Sequence, residues 1–250
     1  MPFFKRGNMK NQEYVKKESK NGSVILFIHG FLGGPDHFRE FLKVVPDDYA
    51  IYNILLDGHA KELKDFTGTS MSRWKVQVDC VLKELSENYE DIIIVGHSMG
   101  TLLALDASTR YKIRFLYLLA IPLRVQLSFS AVTNSLKVMF NLCGNDERAI
   151  AFKESCSVNM PKNPLLYLGC IPRYLELFGE AKRTRREIIG NVKIPCYAFQ
   201  SKRDELVSRR SEKYIRKNEQ IRLTVLEKSG HFLYNKKDME ILLENFVKLL

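Results

Sequence analysis

The sequence lacks any hydrophobic run long enough to cross a bilayer. Its main uninterrupted apolar stretch near the middle, Phe115 to Leu123, is bounded by Arg114 and Arg124 and is too short to span. The start, Met1-Pro2-Phe3-Phe4-Lys5-Arg6-Gly7-Asn8, has no apolar segment followed by a small-residue cleavage site, so no signal peptide is expected. Cysteine is sparse and unpaired in pattern. Cys80, Cys143, Cys156, Cys170 and Cys196 are odd in number, widely spaced and without a C-x-x-C pair. Neither a disulfide framework nor a zinc site is indicated, and a reducing, cytoplasmic location is the expectation. Acidic residues are also in deficit: 29 Asp and Glu stand against 39 Lys and Arg, a net charge of +10. No nucleic-acid motif accompanies that charge. Its densest cluster, Lys182-Arg183-Thr184-Arg185-Arg186, has no interleaved aromatics. The reading is a basic surface and no nucleic-acid partner, with weak peripheral association with anionic membranes as a subsidiary expectation.

What is present is an alternation of apolar runs and amphipathic stretches. At 250 residues the chain is long enough for one large α/β domain with an insertion. Val24–Ile28, Ala50–Leu56, Ile92–Val95, Ile113–Ile121, Ile194–Gln200 and Ile221–Leu226 read as strands, with a short one around Glu13–Lys17. Between them, Pro35 opens a helix after Gly33-Gly34, and Ser70 caps a long helix to Tyr89 with Trp74, Val78, Val81, Leu82 and Leu85 at helical spacing. Helices are also expected at Ser208–Lys217 and Lys237–Leu250. Such alternation predicts a mostly parallel sheet covered by helices on both faces. Residues 123–190 break it, with helical stretches near Ser135–Leu142, Glu147–Ser155 and Leu165–Arg186. The expected organisation is a core of residues 1–122 and 191–250 with a helical cap at 123–190. That insertion follows a strand, at the sheet edge where ligands bind, and is placed to act as a lid.

Gly96-His97-Ser98-Met99-Gly100 follows the Ile92–Val95 strand and precedes the apolar helix signal Thr101-Leu102-Leu103-Ala104-Leu105. This is G-x-S-x-G in a strand–turn–helix setting, the form of a nucleophile elbow. A serine hydroxyl needs a base to take its proton and an acid to orient that base. In this arrangement the chain order is serine, acid, histidine. Of the histidines at 29, 37, 59, 97 and 231, only His231 follows Ser98. It lies in Lys228-Ser229-Gly230-His231-Phe232, just past a strand. The acid belongs in Ser201-Lys202-Arg203-Asp204-Glu205, also past a strand, with Asp204 preferred to Glu205 for its shorter arm in a tight loop. Oxyanion donors are expected from the backbone N–H groups of Met99 and, in His29-Gly30-Phe31-Leu32-Gly33-Gly34, of Phe31. Gly30 and Leu32 are expected beside substrate. His29 reads as a structural hydrogen-bonder, and His97 as pointing away from the reacting groups.

These motifs resemble those of α/β-hydrolases, in particular the bacterial carboxylesterase and monoacylglycerol-lipase-like group. His29-Gly30-Phe31-Leu32-Gly33 is similar to the family's His-Gly-Phe oxyanion loop. Leu56-Asp57-Gly58-His59-Ala60 is similar to its Pro-Gly-His-Gly loop, with Asp in place of Pro and Ala in place of the final Gly. Gly96–Gly100 matches the family elbow, Arg203–Val207 resembles the acid loop and Ser229-Gly230-His231 the histidine loop. The similarity runs from about Val24 to the C-terminus and is weakest in the insertion, where the family carries its cap. It implies a Ser98–Asp204–His231 triad and hydrolysis of acyl esters or monoacylglycerol-type lipids, with no cofactor. Thioesterase, acyltransferase, C–C hydrolase and perhydrolase chemistry use the same triad, and a non-catalytic ligand-binding protein is the reading from another class. Epoxide hydrolases and haloalkane dehalogenases need a carboxylate where Ser98 stands. The apolar residues of the insertion, Leu165, Leu166, Tyr167, Leu168, Leu175, Leu177 and Phe178, are expected mostly to pack against one another.

Overall fold

A computed structural model describes residues 11–126, 129–140 and 142–250. The expectations for the N-terminal start and for Asn141 within the 135–142 helix lie outside the described residues. The described strands are β1 (Tyr14–Lys16), β2 (Ser23–Ile28), β3 (Ala50–Ile54), β4 (Asp91–His97), β5 (Phe115–Leu119), β6 (Cys196–Ser201) and β7 (Ile221–Leu226). They form one sheet in the order β1-β3-β2-β4-β5-β6-β7, parallel except for β1, which pairs antiparallel with β3. The helices are α1 (Arg39–Leu42), α2 (Leu63–Thr67), α3 (Met71–Asn88), α4 (Met99–Ala107), α5 (Phe129–Met139), α6 (Glu147–Ser155), α7 (Ile171–Arg183), α8 (Glu212–Ile215) and α9 (Lys236–Leu249). Among the described residues no helix is long and apolar enough to cross a membrane.

The central strands read as unbroken apolar runs because both of their faces are covered. Every residue of β2, β3 and β5 is buried. Side chains alternate between two cores, as the two-residue period of a strand requires. Leu26 and Ile28 of β2 join Trp74, Leu82 and Leu102 under α3 and α4, whereas Ile25 and Phe27 join Phe38, Phe41 and Phe246 under α1 and α9. Ser70 caps α3 as expected, accepting the Arg73 N–H at 3.2 Å.

The register brings the loops of interest to one edge. Ile28 pairs with Gly96, and Gly96 with Leu118, so β2, β4 and β5 end side by side. Four non-glycine residues at or near the carboxyl ends of strands take positive φ: Leu32, Ala60, Ser98 and Ala120. Ala60, at φ 54°, stands where the resembled loop carries glycine, the residue that tolerates this conformation best. Asp57 of the same loop is structural. Its carbonyl accepts the Trp74 indole N–H at 2.8 Å, and its carboxylate accepts the Thr69 hydroxyl at 3.0 Å.

The insertion between β5 and β6 is helical but more broken than its pattern suggests. The helix expected over Leu165–Arg186 is instead a 3-10 segment (Pro164–Cys170), α7, and a wide turn at Thr184–Ile188. Pro172 accounts for the first break, because proline has no N–H and fits an α-helix only in its first turn. The Ser208–Lys217 helix shrinks to a 3-10 turn and the four residues of α8. The insertion is tied to the core through charges. Asp106 of α4 binds Arg183 of α7 and, at 2.9 Å, Arg110. Glu180 of α7 binds Lys75 of α3 at 2.6 Å. Burial works against the Asp106 charge, but the Arg183 and Arg110 guanidiniums outweigh it and hold the carboxyl below the usual aspartate range. Asp106→Asn should therefore lower unfolding free energy by about 2 kcal/mol, less than for a fully dry pair because Arg183 is partly wet. Urea denaturation checks this, and an unchanged midpoint would mean the cluster stabilises nothing.

Candidate active site

The chain reverses at Ser98 from β4 into α4, and the reversal needs missing side chains. Ser98 sits at φ 51°, ψ −120°. A Cβ on Gly96 would stand 2.9 Å from the Gly100 carbonyl oxygen, and one on Gly100 would overlap the Ile28 carbonyl oxygen. Only glycine at both positions lets α4 start this close to β2. The Ser98 N–H is held by the Leu119 carbonyl at 2.9 Å, so the turn is braced from β5. His97 and Met99 on either side are buried, while Ser98 is partly exposed.

The loops after β6 and β7 bring Asp204 and His231 together. Asp204 Oδ2 lies 2.8 Å from His231 Nδ1, and both side chains are almost fully buried. The other oxygen, Oδ1, accepts the N–H groups of Leu206 at 2.8 Å and Val207 at 2.7 Å, which fixes the carboxylate plane. Glu205 has a different task. Its Oε2 accepts the His231 backbone N–H at 3.0 Å and underlies Gly230, where a Cβ would stand 2.9 Å from it. Of the two adjacent acids, then, Asp204 meets the ring and Glu205 the main chain. Ser98 and His231 face one cavity of about 250 Å³.

Phe31 and Leu32 line that cavity from the loop after β2. Gly33 N–H closes a tight turn onto the Gly30 carbonyl at 3.0 Å, with Leu32 at φ 58°. Gly30 lies against the serine, since a Cβ there would stand 2.9 Å from Ser98 Cβ. Among the described residues, neither the Phe31 nor the Met99 N–H has a hydrogen-bond partner. The insertion supports this turn, as Ser157 N–H donates to the Leu32 carbonyl at 2.8 Å. It also forms the facing wall of the cavity, with Phe152, Cys156, Tyr174, Leu177 and Phe178.

The remaining histidines surround the site without entering it. His29 accepts the Leu56 N–H on Nε2 at 3.0 Å and contacts its neighbour's carbonyl through Nδ1, the structural role expected of it. His97 lies behind His231, its Nε2 3.2 Å from the His231 carbonyl, and stacks on His37 with ring centres 3.7 Å apart. Burial, His37 and His231 push its pKa well below the ordinary imidazole value, so it stays neutral and donates to that carbonyl. This buttress and the Glu205 brace escaped the sequence reading. Both residues adjoin the predicted catalytic positions, and that adjacency was the available signal.

The environment of His231 is opposite in effect. Burial disfavours its protonation, but the Asp204 carboxylate, helped by Glu205, more than compensates and raises its pKa above 6.5. The ring should thus titrate above pH 6.5 when its C–H signals are followed by NMR. Asp204→Asn should lower that value, because burial then acts against one carboxylate fewer. A midpoint unmoved by the substitution would contradict the pairing.

A serine on a strained turn and a histidine paired with a buried carboxylate face one cavity, next to two N–H groups that have no partner among the described residues; such a set is suited to nucleophilic attack on a carbonyl. Comparison with known proteins agrees in fold. The model of the alpha/beta hydrolase family matches residues 25–240. A Mycoplasma pneumoniae protein named "Putative esterase/lipase 3" is 24% identical over 248 residues, covering 89% of this chain and 85% of that protein. Among solved structures, a chain reported with the metagenome-derived lipolytic enzymes LipS and LipT superposes with a TM-score of 0.70 at 20% identity, covering 96% of this chain and 98% of its own. The Paleococcus ferrophilus monoacylglycerol lipase gives 0.68 at 16% identity, with the same coverage of 96% and 98%. The fold, the elbow and the family match over most of the chain agree: the protein belongs to the α/β-hydrolase family.

Proposed function

We propose that the protein is a serine carboxylester hydrolase acting on short-to-medium acyl esters or monoacylglycerol-type lipids. The observation that carries this reading is the 2.8 Å His231–Asp204 pair beside Ser98 in an apolar cavity. With Nδ1 engaged by Asp204, the free nitrogen of His231 is Nε2, which takes the proton as Ser98 Oγ attacks the ester carbonyl. The tetrahedral oxyanion accepts hydrogen bonds from the Phe31 and Met99 N–H groups. His231 then gives its proton to the leaving alcohol. A water, deprotonated by the same nitrogen, hydrolyses the acyl-enzyme and restores Ser98.

The size and chemistry of the cavity support the substrate class. At about 250 Å³ it lies below the roughly 300–1,000 Å³ of common small-molecule sites, and its walls are mainly aliphatic and aromatic. Such a space rewards a modest acyl chain over a polar or bulky group. The names carried by the related proteins, esterase/lipase and monoacylglycerol lipase, point the same way.

A fluorophosphonate probe should label the native protein and fail to label Ser98→Ala; an unlabelled, folded native protein would remove the proposal. With graded p-nitrophenyl and glyceryl esters, kcat/KM should peak at short-to-medium chain length. Because His231 acts as a base only when neutral and its pKa is raised, kcat/KM should still be climbing above pH 6.5. Asp204→Asn should cut kcat by ~10⁴-fold, as expected when a triad carboxylate is lost.

A further inference from the structure

We propose that the outer face of the cap is a docking surface for an anionic lipid bilayer. The insertion's leucines do not pack against one another as their number suggests. Leu165, Leu168 and Leu175 are 70%, 61% and 63% exposed, and Leu166 and Ile171 are about half exposed. Leu168, Ile171, Leu175 and Phe178 follow one another at intervals of three, four and three, so they share one stripe along the 3-10 segment and α7. The opposite side of α7 is already committed to the protein, with Leu177, Glu180 and Ala181 buried. An outward helical face is ordinarily polar. Here the charged residues between 164 and 178 are Arg173 and Glu176, and these bind each other at 2.7 Å. The stripe is therefore apolar without net charge, the kind of exposed patch that marks an interaction surface.

Two features select a lipid surface as the occupant. The first is charge. Exposed Lys162 and Lys182 flank the stripe, residues 123–190 hold ten Lys and Arg against six Asp and Glu, and the whole chain carries +10. A second copy of the chain would bring like charge to this face, whereas an anionic headgroup layer brings the opposite sign. The second is continuity with the cavity. Leu136, Tyr174 and Phe178 line the cavity and are also 46%, 37% and 39% exposed, so the stripe leads directly to its mouth. A protein seated there would cover the mouth. A bilayer would place acyl chains against it. That route for substrate rests on the ester-hydrolase reading; the docking surface does not.

Cosedimentation of the full chain with phosphatidylglycerol vesicles tests the surface. The native protein should bind them at low salt, bind phosphatidylcholine vesicles less, and bind more weakly as salt rises. The double variant Leu168→Ser/Leu175→Ser withdraws two apolar anchors that line neither cavity nor core. It should keep the native circular dichroism spectrum and its rate on a water-soluble short ester, yet lose roughly tenfold or more in vesicle affinity. Ser98→Ala should bind vesicles as the native protein does, which separates docking from catalysis. No binding to phosphatidylglycerol at low salt would overturn the proposal, as would equal binding by the double variant. So would a native dimer in light scattering that the two serines convert to monomer.

Discussion

The placing of Ser98 and of the loop beside it depends on how closely the N-terminus of α4 approaches β2. Gly100 has no room for a side chain against the Ile28 carbonyl, and Gly30 has none against Ser98. Those contacts fix three things at once. They hold Ser98 in a left-handed conformation, set the loop after β2 beside it, and leave the Met99 N–H without a partner among the described residues. A helix starting here also turns the positive end of its dipole toward the cavity, which favours negative charge at the same place. The Ser98 turn and the N–H group beside it are thus consequences of one backbone packing. A methyl group at either glycine would disturb both together.

The Asp204–His231 half of the site is built differently, through polarity in a dry environment. Two neighbouring carboxylates, Asp204 and Glu205, serve the ring and the main chain of a single histidine. Their combined field overcomes the burial that would otherwise keep His231 neutral. His97, with the same burial but no carboxylate beside it, moves in the opposite direction. Two histidines in ring contact, 4.9 Å apart, are therefore tuned in opposite senses. One is free to exchange a proton, and the other remains a fixed donor to its partner's carbonyl. Charge placed within hydrogen-bonding reach decides the difference, since burial is common to both.

Much of this was legible in the sequence, for identifiable reasons. Buried parallel strands stand out as largely apolar runs, and each lies near the position that its run indicates. The elbow is legible because its glycines are sterically compulsory, and chain order left His231 without a rival. Asp204 and Glu205 could be ranked by arm length, but their separate tasks depend on how the loop after β7 lies across the loop after β6. That contact joins residues some 26 positions apart and leaves no mark in local pattern. The insertion was least legible. Its composition announced helices, but Pro172 and the wide turn at Thr184–Ile188 divided them. Apolar residues there read as core, because composition does not say which side of a helix the rest of the protein covers.

That ambiguity bears on how the cap works. α7 is held to the core at its C-terminal end by a charge cluster in which Asp106 and Glu180 face Lys75 and Arg183. At its N-terminal end the contacts are of another kind. Tyr174 lies with its ring centre 4.8 Å from that of Phe31, and Glu176 accepts the Met71 N–H at 2.9 Å. The apolar stripe lies toward this end, away from the Asp106–Glu180 cluster, and the Arg173–Glu176 ion pair within it joins two residues of α7 itself. α7 is thus tied to the core by an ion cluster at its C-terminal end, and by aromatic packing with single hydrogen bonds of Arg173 and Glu176 nearer its start. There Phe31, Tyr174 and Phe178 line the cavity that Ser98 faces, so the part of its wall nearest the exposed stripe is aliphatic and aromatic, and the same side chains meet both the cavity and the surface.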